Sequence, residues 1–187
     1  EIVDFIATSS DTNKKYIVPL LSSIAQKDLR DTESEILLSH LNHSFTYAEN
    51  LPEQNNELFI NYVLNPRIEN EKMIDYKSFL QQSFGDDFVK KTKQDIQFLV
   101  DWINTEITIN NNANYYNVPI TAKGVYELRV ADKYSRDLFF VAVCRSFGIP
   151  SRLEPATKVP QYYKEKCIDI NFEENSVAES KGYGIIK

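Results

Sequence analysis

The stretch VADKYSRDLFFVAVCRSFGIPSR, residues 130–152, decides the fold. Its run LFFVAVC has no polar group other than the thiol, so we predict a helix over 134–147 that is buried on every side. Gly148 supplies a C-terminal cap, and Pro150 prevents the helix from continuing. The polar run ADKYSRD before it has the residue types that cap a helix and compensate its dipole.

Composition and charge exclude several classes of protein. The chain has 187 residues, 42% of them hydrophobic, which suffices for one domain with a substantial core or for one domain with an added lobe. The formal net charge of −6 and the lack of a block rich in Lys and Arg argue against nucleic acid as a partner. No apolar run is long enough to predict a transmembrane segment. The two cysteines are too few for a disulfide framework.

Helical patterns fill the first two thirds of the chain. Apolar spacing predicts helices over 14–26 with an interruption at Pro19, 33–43 after a Thr32 cap, 55–64, 71–83, and 86–107 as the longest. A short helix over about 122–128 leads into the buried helix. After Pro150 the pattern changes to short extended runs, in which Ile168, Ile170 and Phe172 alternate with polar residues. This order predicts an α+β fold, with a helical N-terminal part and a buried central helix packed on a small antiparallel sheet.

The same change of pattern divides the chain into regions. We predict a helical N-terminal region over 1–118, a core over 119–175, and the start of a further element or domain over 176–187. The sequence begins with Glu rather than Met, and no basic leader with an apolar segment follows. We therefore expect a chain trimmed from a longer protein.

The carboxyl end of the predicted helix carries a recognisable pattern, RSFGIPSR, over residues 145–152. With its approach TAKGVYELRVADKYSRD, it resembles the core of the transglutaminase-like superfamily, which is related in fold to papain-type cysteine proteases. More narrowly, YVLNPRIENEKMIDY and the segment ending in VPQYY resemble a transglutaminase-like domain of multi-domain exported proteins of Bacteroides-type bacteria. The resemblance implies the α+β fold above, a transglutaminase-like core over 119–175, and an exported location, periplasmic or at the cell surface.

In that family the central helix presents a nucleophilic cysteine at its amino end, held as thiolate by the helix dipole and by a histidine that an aspartate orients. The family's cysteine lies twelve residues before the helix arginine. Counted back from Arg145, that position is Lys133 in this chain. An alignment shifted by two residues places Ser135 there instead. The strand segment 159–163, VPQYY, has no histidine, and Asp169 corresponds to the acid of the triad.

These departures imply a degenerate, non-catalytic domain, because a missing nucleophile or base lowers the rate by roughly 10³- to 10⁶-fold. We predict a pseudoenzyme that serves as a scaffold or as a peptide- or glycan-binding module in a longer protein. The alternative is an active hydrolase or acyltransferase of the transglutaminase and cysteine-protease type with an altered nucleophile. A third reading is a spacer domain whose cleft is filled by aromatic side chains.

Each reactive candidate also has a structural interpretation. Cys144 lies in the middle of an apolar helix, which favours a packed core cysteine. Cys167 follows two lysines that favour a thiolate, but no histidine follows it, which favours an ordinary strand residue. Ser135 could act as a nucleophile and Lys133 as a base. Ser135 and the aspartates of ADKYSRD are also the residue types that cap a helix, and this interpretation is favoured.

His40 and His43 are the only histidines, and we predict that they face solvent rather than bind a metal. No metal and no cofactor are therefore predicted. Tyr162 and Tyr163, with Gln161, lie near the family's site and suit stacking on sugar or peptide, although packing of these tyrosines over the sheet is favoured.

Two further groups of residues stand out. Tyr115 and Tyr116 lie in a polar loop rich in Asn, where the same stacking argument applies. Arg145 and Arg152 are interpreted as structural residues that pair with acids such as Asp137 or Glu154.

Overall fold

The computed structural model describes residues 13–112, 114, 116 and 118–173. The N-terminal part consists of a 3-10 turn Lys14–Tyr16, α1 Ile17–Ser23, α2 Gln26–Asp31, α3 Ser34–His43, α4 Leu51–Gln54, α5 Asn56–Phe59, and a π-helix Ile60–Leu64 that continues α5. After it come α6 Tyr76–Gln94, α7 Ile96–Glu106, α8 Ala122–Leu128 and the central helix α9 Lys133–Ser146. The helices follow the predicted order, but α1 runs through Pro19 without the predicted interruption, and α2 and α4 were not predicted.

Among the described residues, the strands form two small sheets. β1 Thr108–Ile109 and β2 Val130–Ala131 pair in parallel. β3 Ser151–Leu153, β4 Pro160–Tyr163 and β5 Cys167–Asp169 form an antiparallel sheet with β4 in the middle. α9 packs against β3 and β4, so the predicted α+β class is confirmed.

The predicted helix over 86–107 is wrong as a single element. α6 ends at Gln94 and α7 begins at Ile96, because Asp95 has an extended backbone with φ −144°. The Asp95 carboxylate accepts a hydrogen bond from Gln97 N at 3.0 Å and caps α7. Apolar spacing continues through this break, which is why it predicted one helix.

Other helix boundaries also differ from the prediction. α6 begins at Tyr76 rather than at residue 71, because Asp75 is its N-cap. Gly85 interrupts α6 with φ +74°, at the place where two separate helices were predicted. The predicted Thr32 cap is wrong, since Glu33 is the N-cap residue of α3 and makes no side-chain capping bond.

Buried apolar side chains form two clusters. The larger surrounds α9, where every residue from Leu138 to Phe147 is buried, so the prediction of an all-round buried helix is confirmed. The smaller cluster runs from Tyr16 to Met73. The domain boundary at residue 118 stays a prediction, and the region 176–187 lies outside the described residues.

The carboxyl end of α9 closes as predicted. Gly148 has φ +70°, its N–H donates to Arg145 O at 3.2 Å, and Ile149 N donates to Cys144 O at 2.9 Å. These two bonds are the Schellman motif, which requires a left-handed residue at the position of Gly148. A Cβ at residue 148 would lie 2.5 Å from Tyr47 O, so the close approach of the two chain segments also requires glycine.

Two buried basic side chains hold the chain between the clusters. Lys77 Nζ donates to Val63 O at 2.6 Å and to Leu64 O at 2.9 Å, the last carbonyls of the π-helix. Arg145 Nη1 donates to Asn65 O and to Arg67 O, both at 2.8 Å. The segment 63–67 is therefore fixed from both sides.

Among the described residues neither arginine forms the predicted ion pair with Asp137 or Glu154, although the charge of Arg152 adds to the hydrogen bonds from Thr157 that lower the pKa of Glu154. Arg145 also donates from Nε to Ser151 O at 3.0 Å, so its described partners are backbone carbonyls. Asp137 is about two helical turns away along α9, out of its reach. Arg152 donates to Gln161 Oε1 and to the Tyr62 hydroxyl.

The prediction that both histidines face solvent is wrong for His40. His40 is fully buried where α3 packs on α6, with its ring 4.8 Å from the Tyr76 ring. Its Nε2 donates to Ile74 O at 2.8 Å, and its Nδ1 has no hydrogen-bond partner in the described part of the chain. Burial, reinforced by Lys77, lowers the pKa of His40 well below its ordinary value. His43 is half-buried and bonds to Gln81.

Replacing Arg145 with Lys should destabilise the fold strongly. A lysine cannot bond all three carbonyls, and a buried acceptor left unpaired is unfavourable, so we expect Arg145→Lys to lower the free energy of unfolding by about 3 kcal/mol. Arg152→Lys is the matched control at a partly exposed strand position, with an expected loss of about 1 kcal/mol or less. Urea unfolding measures both, and equal losses would contradict the special role of Arg145.

Stability should fall as the pH decreases below the ordinary pKa of histidine. His40 stays neutral in the folded protein while the unfolded chain takes up a proton, so the free energy of unfolding should drop by up to about 1.4 kcal/mol per pH unit below about pH 6.5. In His40→Gln the amide can still donate to Ile74 O, and this component of the slope should vanish. In the control His43→Gln it should remain. Urea unfolding between about pH 5 and 8 tests this, and an unchanged slope in His40→Gln would refute it.

Candidate functional site

A cleft lies at the amino end of α9, which we call the helix-end cleft. It has a volume of about 590 Å³ and is bounded by the first turn of α9 and by the strands β4 and β5 with their flanking residues. Its lining includes Lys133, Asp137, Pro160, Asp169 and Ile170. This is where a buried helix and a sheet meet, as the sequence predicts for the site.

Lys133, the position predicted for the nucleophile, carries an exposed amino group. Its side chain is 54% exposed and forms an ion pair with the Glu173 carboxylate. Its backbone N–H donates to Asn111 Oδ1 at 3.0 Å. The position thus holds a solvated cation with a carboxylate partner.

Ser135, the alternative position, is fully buried in a capping network. Its N–H donates to Asp132 Oδ1 at 3.0 Å, and its hydroxyl donates to Asp132 Oδ2 at 2.7 Å. The Ser135 oxygen also accepts from Ile120 N at 3.0 Å, and Asn114 donates to the same Asp132 carboxylate at 2.7 Å. Burial tends to raise the pKa of Asp132, but these bonds from Ser135 and Asn114 outweigh burial and lower it. The polar run before the helix therefore caps it, as predicted.

Asp169, the predicted acid, is turned away from the central helix. Arg152, Gln161 and Asp169 lie directly opposite one another across the sheet, so their side chains share one face. The alternate row faces α9, since Ser151 Oγ donates to Val141 O at 3.1 Å. Gln161 Nε2 donates to Asp169 Oδ1 at 2.6 Å, so this carboxylate is bound across the strands although Asp169 lies at the edge of the cleft.

Two of the sheet residues that line the cleft carry apolar side chains. Pro160 and Ile170 lie opposite each other, with Ile170 N donating to Pro160 O at 2.8 Å, and both line the cleft with Lys133. Sequence reasoning missed this assignment because it depends on the register of β4 and β5. The available signal was the alternation of side chains along a strand, which places Pro160 on the same face of the sheet as the buried Tyr162.

Asp137 is the acidic group of the cleft with the most altered environment. Its side chain is 18% exposed and forms an ion pair with Arg136 at 2.8 Å. Burial raises the pKa of Asp137 to about 6, against the lowering effect of Arg136. Such a carboxyl exchanges protons near neutral pH, but the cleft lining has no thiol or imidazole to accept one.

The cysteines lie elsewhere. Cys144 is fully buried in α9, which confirms a packed core cysteine, and burial raises the pKa of its thiol well above the ordinary value. Cys167 begins β5 and is half-buried. Within the part of the chain that the structure describes, no three His, Cys, Asp or Glu side chains are grouped as metal ligands.

The three predicted binding residues, Gln161, Tyr162 and Tyr163, do not line one common site. Tyr162 and Tyr163 line a second cavity, which we call the tyrosine pocket, between β4, the end of α6 and the turn 48–51. Gln161 is not part of it and bonds Arg152 and Asp169 instead. Tyr116 is 82% exposed. Tyr115 lies outside the described residues.

Comparison with protein-family models gives a match over the segment that contains most of the helix-end cleft. A family model described as transglutaminase-like superfamily matches residues 82–171, which include the second half of α6, α7, α8, α9 and the three-stranded sheet. Comparisons with curated proteins and with solved structures gave no significant match. The match supports the predicted superfamily over this segment, while the Bacteroides-type origin and the exported location stay predictions. None of the described helices is long and apolar enough to cross a membrane.

Two aspartates at the start of α9 should contribute to the free energy of unfolding with opposite dependence on pH. The pKa of Asp137 is raised in the fold, so its contribution to stability is present at low pH and is lost as the pH rises through about 6. Asp137→Asn should therefore become more stable relative to the parent as the pH increases from about 4 to 6. The pKa of Asp132 is lowered, so Asp132→Asn should be less stable than the parent at neutral pH and lose that difference in acid. Urea unfolding across this range measures both, and two curves with the same sign would contradict the assignment.

Proposed function

We propose that the transglutaminase-like domain formed by residues 82–171 is non-catalytic and serves as a scaffold or ligand-binding module. The carrying observation is that this segment has no histidine, since the two histidines of the chain are His40 and His43. His40 bonds Ile74 O, and His43 bonds Gln81, both outside the helix-end cleft. The cleft therefore has no imidazole to act as a general base.

The nucleophile position supports the same proposal. Lys133 forms an ion pair with Glu173, and an ammonium nitrogen has no lone pair with which to attack a substrate. Of the sheet residues that line the cleft, Pro160 and Ile170 neither accept nor donate a side-chain proton, and the Asp169 carboxylate accepts a hydrogen bond from Gln161. The family's triad needs a thiol, an imidazole and an orienting acid within hydrogen-bond reach, and the described residues of this cleft include neither a thiol nor an imidazole.

The alternative of a serine nucleophile receives less support. Ser135 is buried, so a substrate carbonyl cannot reach its oxygen without displacing the cap. The group that accepts its proton is Asp132, whose lowered pKa makes it a weak base. Both features belong to a structural cap at the start of α9.

A binding role fits the cavities that remain open. The helix-end cleft is not closed by aromatic side chains, as the spacer reading requires, and the tyrosine pocket is a second concave site. We include in the proposal a place within a longer exported protein, with other domains of that protein and a peptide or glycan as partners.

The proposal predicts no acyl transfer. The parent protein and a Cys144→Ala, Cys167→Ala double variant are compared for incorporation of monodansylcadaverine into casein and for hydrolysis of casein. Both proteins are expected to show the same background rate, because the segment 82–171, which contains both cysteines, has no histidine to activate a thiol. Iodoacetamide labelling between about pH 5 and 9, located by peptide mass, should leave Cys144 unmodified until the protein is unfolded.

Three results would overturn the proposal. The first is turnover that disappears in the double cysteine variant, and the second is turnover that disappears in Ser135→Ala or Lys133→Met. The third is rapid labelling of Cys144 in the folded protein below about pH 7. Labelling in urea provides the control that each peptide is detectable.

A further inference from the structure

The tyrosine pocket is separate from the helix-end cleft. It has a volume of about 360 Å³, within the range of small-molecule sites, and shares no lining residue with the cleft. Its walls come from the turn 48–51, the end of α6, the start of α7, the turn after α9 and the strand β4. It lies at the carboxyl end of α9, whereas the helix-end cleft lies at the amino end, and β4 contributes residues to both.

The polar groups of the pocket are suited to hydroxyl ligands. Asn50, Gln54 and Gln94 each offer an amide that both donates and accepts hydrogen bonds. The Thr92 side chain is 1% exposed, and its hydroxyl has no hydrogen-bond partner among the described residues. Sugar hydroxyls also donate and accept, so amides and hydroxyls satisfy them in either sense.

Tyr162 and Asp95 both line this pocket. Burial raises the pKa of Tyr162, and the proximity of Cys144 and of the Asp95 carboxylate raises it further. The described structure gives the Tyr162 hydroxyl no hydrogen bond, while one Asp95 oxygen accepts from Gln97 N. The pocket lining therefore offers both a phenol donor and a carboxylate acceptor.

The pocket has no excess of charge. Lys93 forms an ion pair with Glu49 and also donates to Tyr47 O at 2.6 Å. Lys164 at the rim is balanced by Asp95. A site with two cations and two anions does not select a charged ligand by its field, which argues against a phosphate, a nucleotide or a polycation.

The remaining walls are apolar and aromatic. Leu51, Ile149 and Pro150 line the pocket with the rings of Tyr162 and Tyr163. Apolar walls and aromatic rings pack against the C–H face of a sugar ring while the amides bind its hydroxyls. A peptide adding as a strand is not favoured, because β4 is already paired on both sides with β3 and β5.

We propose that the tyrosine pocket binds an uncharged sugar, of one or two rings, between the tyrosines of β4 and the amides of the facing turn and helix end. The inference deepens the proposed binding function and rests on it. It assigns the ligand class to this pocket rather than to the helix-end cleft.

Isothermal titration and saturation-transfer NMR test the proposal with cellobiose, maltose and N,N′-diacetylchitobiose as probes. Binding of at least one disaccharide is expected. Tyr162→Phe keeps the ring in the core and removes the hydroxyl, so affinity should fall about tenfold, as expected for one lost hydrogen bond. Asp95→Asn, which retains a good N-cap residue for α7, should weaken binding to a similar extent.

Tyr134→Phe is the matched control, because Tyr134 lines the helix-end cleft and receives the same substitution. It should leave affinity unchanged. No binding of any of the three sugars, or a loss in Tyr134→Phe equal to that in Tyr162→Phe, overturns the proposal. So does preferential binding of glycylglycine that Tyr162→Phe weakens. The outcome is independent of the casein assays, because turnover there contradicts the non-catalytic function without affecting a Tyr162-dependent sugar affinity.

Discussion

The fold depends on how the carbonyl groups of the segment 63–67 find donors inside the protein. Burying a backbone carbonyl without a partner is unfavourable, and here several lie between two apolar clusters. Lys77 satisfies those of Val63 and Leu64, and Arg145 satisfies those of Asn65 and Arg67. Arg145 belongs to the central helix and also donates to Ser151 O, so this one side chain contacts the N-terminal part, the helix and the sheet.

At the amino end of the same helix, backbone N–H groups rather than carbonyl groups need partners. A helix start leaves N–H groups without intrahelical partners, and in the family a reactive side chain is placed there. In this chain Asp132 accepts from Ser135 and Asn114, and Ser135 accepts from Ile120 N. The donors around the start of the helix are thereby engaged with the protein itself. A site organised in this way favours a stable helix over a reactive one.

The sequence predicted elements whose signals are local and missed those that depend on a distant partner. The run LFFVAVC and Gly148 sufficed for the buried helix and its C-terminal turn, since composition and a left-handed cap are properties of a short segment. The burial of His40 required knowing that α3 packs on α6, and the bond from Gln161 to Asp169 required the register of two strands. The break at Asp95 had a local signal, an N-cap aspartate before an apolar helix, which the continuing periodicity concealed.

Gly148 also affects the width of the tyrosine pocket. The residue lines the tyrosine pocket together with Ala48, and the absence of its side chain allows the backbone at Tyr47 to approach the end of the central helix. Any Cβ at this position would push the turn 48–51 outward, because backbone atoms cannot yield as a flexible side chain can. One glycine thus couples the termination of a core helix to the width of a surface site formed by another part of the chain.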